Sequence, residues 1–323
     1  FTITVTVQPE PVVALTLNTT ECSGTIYGLL LNTNGISIGA ANYDVTVVSK
    51  DAGITGGRPL GLIGVGGSPD NIILNDSYTN TTATPLKVVY SVVPHGTNGC
   101  VGDPKLIEFT IDPTPVLFNP GFPAVCSNNV SSTNIVNVTL GTNGTSVNAA
   151  TYQLVARQFL PVIAGFTPDG ANAIVGASGG INLIKNDKFN NLSAVPVTVR
   201  YTIEGTSGTG CVSSQLDYDV VINPEPTMSP GTATVCSGVA LSTLTLGPAV
   251  GSSAITSFDL LQVLIVSPFV TPAGTNQAIG PITATSLQTD RFTNTSNADQ
   301  HVIYKIIPLS GTCRGVAQFV DVT

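Results

Sequence analysis

Six cysteines, two histidines and a thrice-repeated set of aspartate, aromatic, asparagine and tyrosine are the residues on which this 323-residue chain could base any chemistry. The cysteines fall in couples: Cys22 with Cys100, Cys126 with Cys211, and Cys236 with Cys313. In each couple the first opens Cys-Ser-Gly or Cys-Ser-Asn, and the second follows a Gly-Thr turn. Zinc would ask for close Cys-x-x-Cys or His partners, so three like couples predict one disulfide inside each of three units. Closing a loop of about 80 residues stabilises by on the order of 4 kcal/mol in the chain-entropy model. Such bonds persist in oxidising surroundings, which predicts an exported, extracellular protein.

The repeated set is Asp76, Tyr78, Asn80 and Tyr90, then Asp187, Phe189, Asn191 and Tyr201, then Asp290, Phe292, Asn294 and Tyr304. A short carboxylate caps a turn by accepting backbone N–H bonds, and the asparagine does the same two turns on. Calcium is the sharper alternative for these aspartates, but it requires several more oxygen ligands, and no Asp-x-Asp-x-Asp run supplies them. Each repeated Tyr sits mid-strand before a closing hairpin, the place of a core tyrosine whose hydroxyl bonds backbone at a corner. His95 and His301 lie at unmatched positions, with no Gly-x-Ser-x-Gly elbow, His-Glu-x-x-His or recurrent carboxylate pair, so no catalytic centre is expected. The glycines between Gly53 and Gly67 lack the Gly-Lys-Ser/Thr and following helix of a phosphate-binding loop. No cofactor is expected. Sequons stand at Asn18, Asn75, Asn80, Asn129, Asn137, Asn143, Asn191 and Asn294, as a chain rich in Asn, Ser and Thr throws up by chance.

The elements that must hold these residues are strands. Charged residues are only 9% of the chain, with 33 Gly, 22 Pro and no Trp, a β-rich composition punctuated by turns. The net charge of −8 comes without a basic cluster, which sets nucleic acid and anionic lipid aside as partners. Mean hydropathy is +0.34. No apolar run reaches the roughly 18 to 20 residues of a membrane span, so membrane insertion is not expected. The longest run, Leu260 to Val266, reads as a buried strand. Alternating strands are expected at Asn42–Val47, Leu86–Val92 and Lys105–Ile111, the last two as a hairpin. Period-2 segments recurring about every 105 residues, with almost nothing at helical period, predict an all-β fold of three immunoglobulin-like sandwiches. The expected bounds are 9–112, 113–223 and 224–323, with 1–8 as the last strand of a preceding repeat or a strand donated to a neighbour's sheet. Pro9-Glu-Pro11, Pro113-Thr-Pro115 and Pro224-Glu-Pro226 read as short, stiff joints. Three units standing end to end would make a rod on the order of 110 Å, from strands rising about 3.3 Å per residue.

Asp-x-aromatic-x-Asn, then Val-x-Tyr-x-Ile/Val with Pro94 or Pro308 two residues on, then Gly-Thr to Cys and a strand ending in Asp-Pro or Asn-Pro, resembles the PKD-like repeats of very large Bacteroidota surface proteins. Among these are gliding-motility adhesins exported by type IX secretion. Glu204-Gly205 departs from the pattern where the proline would stand, and the Trp signature of animal PKD domains is missing. The resemblance implies a cell-surface filamentous protein used in adhesion and gliding, whose partners are further repeats and an external surface or glycan. A carbohydrate-binding array and a filament subunit joined by strand addition are the alternatives.

Overall fold

The computed structural model describes residues 1–128 and 133–323, and the Asn129 sequon lies outside them. The first two repeats are each built on a five-stranded sheet, and the third on a six-stranded one. In the first these are β1 (Thr19–Cys22), β2 (Ala40–Lys50), β3 (Gly61–Ser68), β4 (Leu86–Gly96) and β5 (Lys105–Asp112). The second has β6 (Val125–Cys126), β7 (Ala149–Leu160), β8 (Ser178–Gly179), β9 (Val197–Ser207) and β10 (Leu216–Asn223). The third has β11 (Gly231–Ala233), β12 (Ser257–Ile265), β13 (Gly280–Ile282), β14 (Val302–Ser310) and β15 (Gln318–Val322), with a two-residue strand, Cys313–Arg314, paired to β14 off the main order.

In sheet position the order is the same three times: first, last, fourth, second, third. The first strand runs parallel to the last, and the other neighbours along that order pair antiparallel. A two-stranded ladder faces each sheet: Ile54–Thr55 with Thr79–Asn80, Phe166–Pro168 with Phe189–Asn191, and Val270–Pro272 with Phe292–Asn294. Alternation writes the core directly. Along β4, Val88, Tyr90 and Val92 are fully buried, and β9 repeats this with Val199, Tyr201 and Ile203. Removing such side chains from water stabilises by about 1.5–3 kcal/mol each. Three hydrophobic clusters result, one in each repeat.

Among the described residues Phe1 to Gln8 pairs with no strand, and Phe1, Ile3, Val5 and Val7 are exposed. One expectation fails here. Leu260 to Val266 is half-buried, since a register shift between Leu260 and Gln262 leaves Leu261 and Leu264 facing outward. The second half of the Gly53–Gly67 interval supplies β3, the partner of β2.

The departure at Gly205 has a physical answer. In the first and third repeats a proline, Pro94 or Pro308, accepts a backbone bond from Gly102 or Gly315. A Cβ on Gly102 would lie 2.0 Å from the Pro11 carbonyl oxygen, and one on Gly315 would lie 1.8 Å from that of Pro226. In the second repeat the pair is exchanged: Ser213 replaces the glycine, and its Oγ accepts the Gly205 N–H at 2.9 Å, a donor that proline would lack. Gly315→Ser on the native background is therefore expected to destabilise the third repeat by about 1–3 kcal/mol through overpacking. Adding Pro308→Gly should recover part of that loss in a double-mutant cycle of chemical denaturation, and strict additivity would show the two positions to be independent.

Candidate functional site at the joints between repeats

One helical turn delivers each repeated aspartate. Ile73, Ile184 and Leu287 are buried, and their carbonyls accept the N–H of Asp76, Asp187 and Asp290 at 3.1, 3.2 and 3.1 Å. The apolar residue anchors the turn and the aspartate three positions on is carried inside, to 7%, 2% and 0% exposure. There each carboxylate accepts the tyrosine hydroxyl: Tyr90 to Asp76 at 2.6 Å, Tyr201 to Asp187 at 3.1 Å, Tyr304 to Asp290 at 2.7 Å. The tyrosines therefore bond carboxylates, not backbone at a corner, because the buried charge needs a donor more than the phenol needs a carbonyl.

Compensation of the charge differs between copies. Arg58 Nε lies 2.7 Å from Asp76, and Arg157 Nη1 lies 3.7 Å from Asp187. Among the described residues no cation pairs with Asp290, which instead accepts the Gln277 N–H at 2.7 Å. Ala173 N–H bonds Asp187 at 2.8 Å. Burial pushes the Asp187 and Asp290 carboxyls above the usual range, against the opposing pull of these donors. Burial likewise raises the Tyr90, Tyr201 and Tyr304 phenols, so they stay protonated donors. The intervening Tyr78, Phe189 and Phe292 are buried too, and Tyr78 Oη meets Tyr90 Oη at 2.6 Å.

The repeated asparagines behave as turn caps, at the end of each sandwich where its last strand leaves. Asn80 Nδ2 donates to the Thr84 and Ile111 carbonyls, both at 2.8 Å, while its Oδ1 accepts from Thr82. Asn191 repeats this with Val195, Ile222 and Ser193, and Asn294 with Ala298 and Ser296. The serine of each Cys-Ser then closes the arrangement: Ser23, Ser127 and Ser237 Oγ accept the asparagine N–H at 2.9, 2.9 and 3.0 Å. Asn80 and Asn191 are buried, so their sequons are closed to modification in the folded protein.

The cysteine pairing within repeats is overturned. The bonds are Cys22–Cys211 and Cys126–Cys313, each joining the first cysteine of one repeat to the second cysteine of the next. Cys100 and Cys236 are free thiols. The reason lies in strand direction. Cys22 stands level with Asp112 at the exit end of the first sandwich, and Leu86 pairs with Ile111 near that same end. Cys100 lies beyond Gly96, at the other end of an eleven-residue strand. The two are separated by roughly 30 Å of strand, against the 4.4–6.8 Å that a disulfide spans. Cys126, level with Asn223, is likewise a full strand away from Cys211 beyond Ser207.

The entrance end of each sandwich holds the second cysteine. Gly102 packs on Pro11, and Gly205 packs on Leu117, so the turn carrying Cys100 or Cys211 sits beside the incoming linker. Exit end therefore meets entrance end at every joint, and each joint carries two covalent connections: the proline linker and a disulfide. The linkers are themselves packed. Pro113 and Pro115 are buried, as are Pro224, Glu225 and Pro226, and the Glu225 N–H donates to the Asn191 carbonyl at 2.8 Å. The Asp–Tyr pair fixes each core, and the Asn–Ser–Cys group fixes each exit end.

These features define immunoglobulin-like β-sandwich modules of an extracellular type, tied by disulfides. The family model of the PKD-like domain matches residues 65–115, 125–226 and 263–323, and the chain belongs to that family. No curated protein matches it. Among solved structures, a protocadherin gammaB7 EC3-6 cis-dimer is similar over 98% of this chain and 77% of its own, at 12% identity and a TM-score of 0.27. Chicken CNTN1 FN1-FN3 domains are similar over 97% and 98%, at 11% identity and a TM-score of 0.26. Titin domains A168-A170 are similar over 97% and 96%, at 9% identity and a TM-score of 0.26. Among the described residues no helix is long and apolar enough to cross a membrane.

Proposed function

We propose that the chain is a load-bearing stalk segment of a large cell-surface adhesin, supporting attachment and gliding, with mechanical and not catalytic work. The observation that carries this reading is that both disulfides cross joints. A bond inside a sandwich would stabilise that sandwich; a bond across a joint fixes one sandwich relative to the next and passes tension between them. With about 190 residues in each closed loop, the chain-entropy model gives on the order of 5 kcal/mol per bridge, spread over two repeats. The carbohydrate-binding alternative is weakened because the repeated tyrosines are sealed in cores and offer no face to a sugar ring.

Each sandwich has its own core, so reduction is expected to leave the strands intact and to free the joints. Small-angle scattering should give an elongated particle on the order of 110 Å long when oxidised. After reduction the distance distribution should broaden while the far-ultraviolet circular dichroism stays the same. A compact oxidised particle would remove the stalk reading.

A further inference from the structure

Asparagine is followed by glycine at Asn34–Gly35, Asn98–Gly99 and Asn143–Gly144, and the fold treats these pairs differently. Such a pair is chemically labile, because the amide nitrogen after the asparagine is a nucleophile and glycine has no side chain to shield it. We propose that Asn34 and Asn143 are sites of self-catalysed deamidation in the folded protein, with water as the co-reactant, and that the change loosens the hold of each turn on the linker beside it. Asn98 is closed to the reaction. The inference goes beyond the stalk reading and does not rest on it.

Asn34 and Asn143 occupy equivalent turns, and both are exposed together with their glycines. Asn34 Oδ1 accepts the N–H of Ile36 at 3.0 Å and of Ser37 at 2.8 Å, and Asn143 Oδ1 accepts those of Thr145 at 3.1 Å and Ser146 at 2.9 Å. Two donors on one carbonyl oxygen polarise the carbon beside it and hold the negative charge that gathers on that oxygen as the carbon is attacked. Among the described residues the Gly35 and Gly144 N–H groups donate to no acceptor, so the nucleophile is available. A Cβ at either glycine would meet nothing within 4 Å, so the approach is open. At Asn98 the nucleophile is occupied: Gly99 N–H donates to the Gly96 carbonyl at 3.0 Å. Asn98 Nδ2, the leaving group, is tied to the Pro9 carbonyl at 2.9 Å, and its Oδ1 accepts from Cys100 N–H at 3.1 Å.

The Gly35 nitrogen attacks Asn34 Cγ and gives up its proton, the Cγ–Nδ2 bond breaks, and ammonia leaves a cyclic succinimide. Water then adds to one ring carbonyl or the other and opens the ring to aspartate or isoaspartate, each with a new negative charge and no change of oxidation state. The reacting turns are also clamps. Asn34 N–H donates to the Val12 carbonyl at 2.8 Å and Ser37 Oγ accepts Val12 N–H at 2.9 Å, just past Pro11. Asn143 and Ser146 hold Val116 in the same way past Pro115, at 2.9 and 3.0 Å. In the third repeat Ala249 and Ser252 hold Thr227 at 2.9 and 2.8 Å, a clamp with no asparagine to react. Isoaspartate routes the main chain through the former side chain and lengthens the turn by a methylene, which pulls the clamp out of register with its linker.

The test is to age the native chain, bridges intact, near neutral pH and to separate its Asn, Asp and isoaspartate peptides by chromatography and mass spectrometry. Conversion at Asn34 and Asn143 is expected about ten-fold faster than at Asn98, less than an enclosed oxyanion site would give because both turns are exposed. In a reduced, urea-unfolded sample the three rates should converge, which separates the contribution of the fold from that of the dipeptide. Hydrogen exchange should show the Val12 and Val116 amides opening faster in aged than in fresh protein, with Thr227 unchanged. An aged chain carrying Asn34→Ala and Asn143→Ala should show no such change. Equal native rates at the three sites, native rates at Asn34 and Asn143 below those of the unfolded chain, or ageing that leaves Val12 and Val116 exchange unaltered would each overturn the proposal. None of these bears on scattering by the fresh chain, so the stalk reading is tested separately.

Discussion

Pulled between its ends under oxidising conditions, the chain is expected to extend to little more than a third of the length it reaches when reduced. Fully unravelled, 323 residues at about 3.5 Å each span roughly 1,100 Å. The bridges Cys22–Cys211 and Cys126–Cys313 overlap in sequence, so three segments run between the same two covalent nodes: Cys22 to Cys126, Cys126 to Cys211 and Cys211 to Cys313. The shortest, about 85 residues, sets the limit, and with the two outer tails some 120 residues, or about 400 Å, can be drawn out. Tension beyond the first unravelling is shared among three parallel strands. Single-molecule force spectroscopy measures this directly. Cys22→Ser or Cys126→Ser alone leaves one shortcut, and about 135 residues in the load path. Only the double variant should reach the full length. An oxidised extension equal to the reduced one would refute the staggered arrangement.

That behaviour was hidden from the sequence, although every residue responsible for it was in view. Counting cysteines by repeat gives two each, and the count is satisfied equally by bonds within and across repeats. What separates them is strand direction. If Leu86 to Gly96 is followed as one strand, Cys100 must lie at the end opposite Cys22, but reading the strand as stopping at Val92 leaves that distance unmeasured. The alternation along β4, β5, β9 and β10 was legible because one face of a sheet is buried and side chains alternate. The asparagine caps were legible because an Asx turn is local. Arg58 and Arg157 were not, since their aspartates lie 18 and 30 residues away across the fold. The buried turn, Ile or Leu followed by x-x-Asp, is illegible for a different reason: four residues are too few to show a helical period. The serine of Cys-Ser repeats visibly, yet its partner Asn is 57 residues on in the first repeat, and only the fold brings them together.

The third repeat is expected to lose about 2–4 kcal/mol of stability in Asp290→Ala, the second large effect. The substitution strips the acceptor from the buried Tyr304 hydroxyl and the part-buried Gln277 N–H, and leaves the phenol unpaired in the core. Its pH signature distinguishes it from an ordinary cavity. Burial raises the folded-state pKa of Asp290 above the unfolded value of about 3.9. Between those two values the folded state binds more protons than the unfolded one, so this group's contribution is fully present below about pH 3.9 and is lost as pH rises through the folded pKa. Acidification from neutrality should therefore raise the third repeat's stability through Asp290, with a slope of at most about 1.4 kcal/mol per pH unit. Asp187 shifts in the same direction, partly relieved by Arg157. Asp219 is opposite in sign: its hydrogen bond with Arg200 lowers its pKa, so its contribution is present above the unfolded value and is lost below it, outside this window. Hydrogen exchange of the β14 amides between pH 4 and 7, corrected for intrinsic rates, reads the third repeat separately from the others. Asp290→Asn keeps an acceptor without the charge and should flatten the slope while preserving most protection. A native slope of the opposite sign, or one unchanged in Asp290→Asn, would show that the carboxylate is ionised and fully compensated in the folded core.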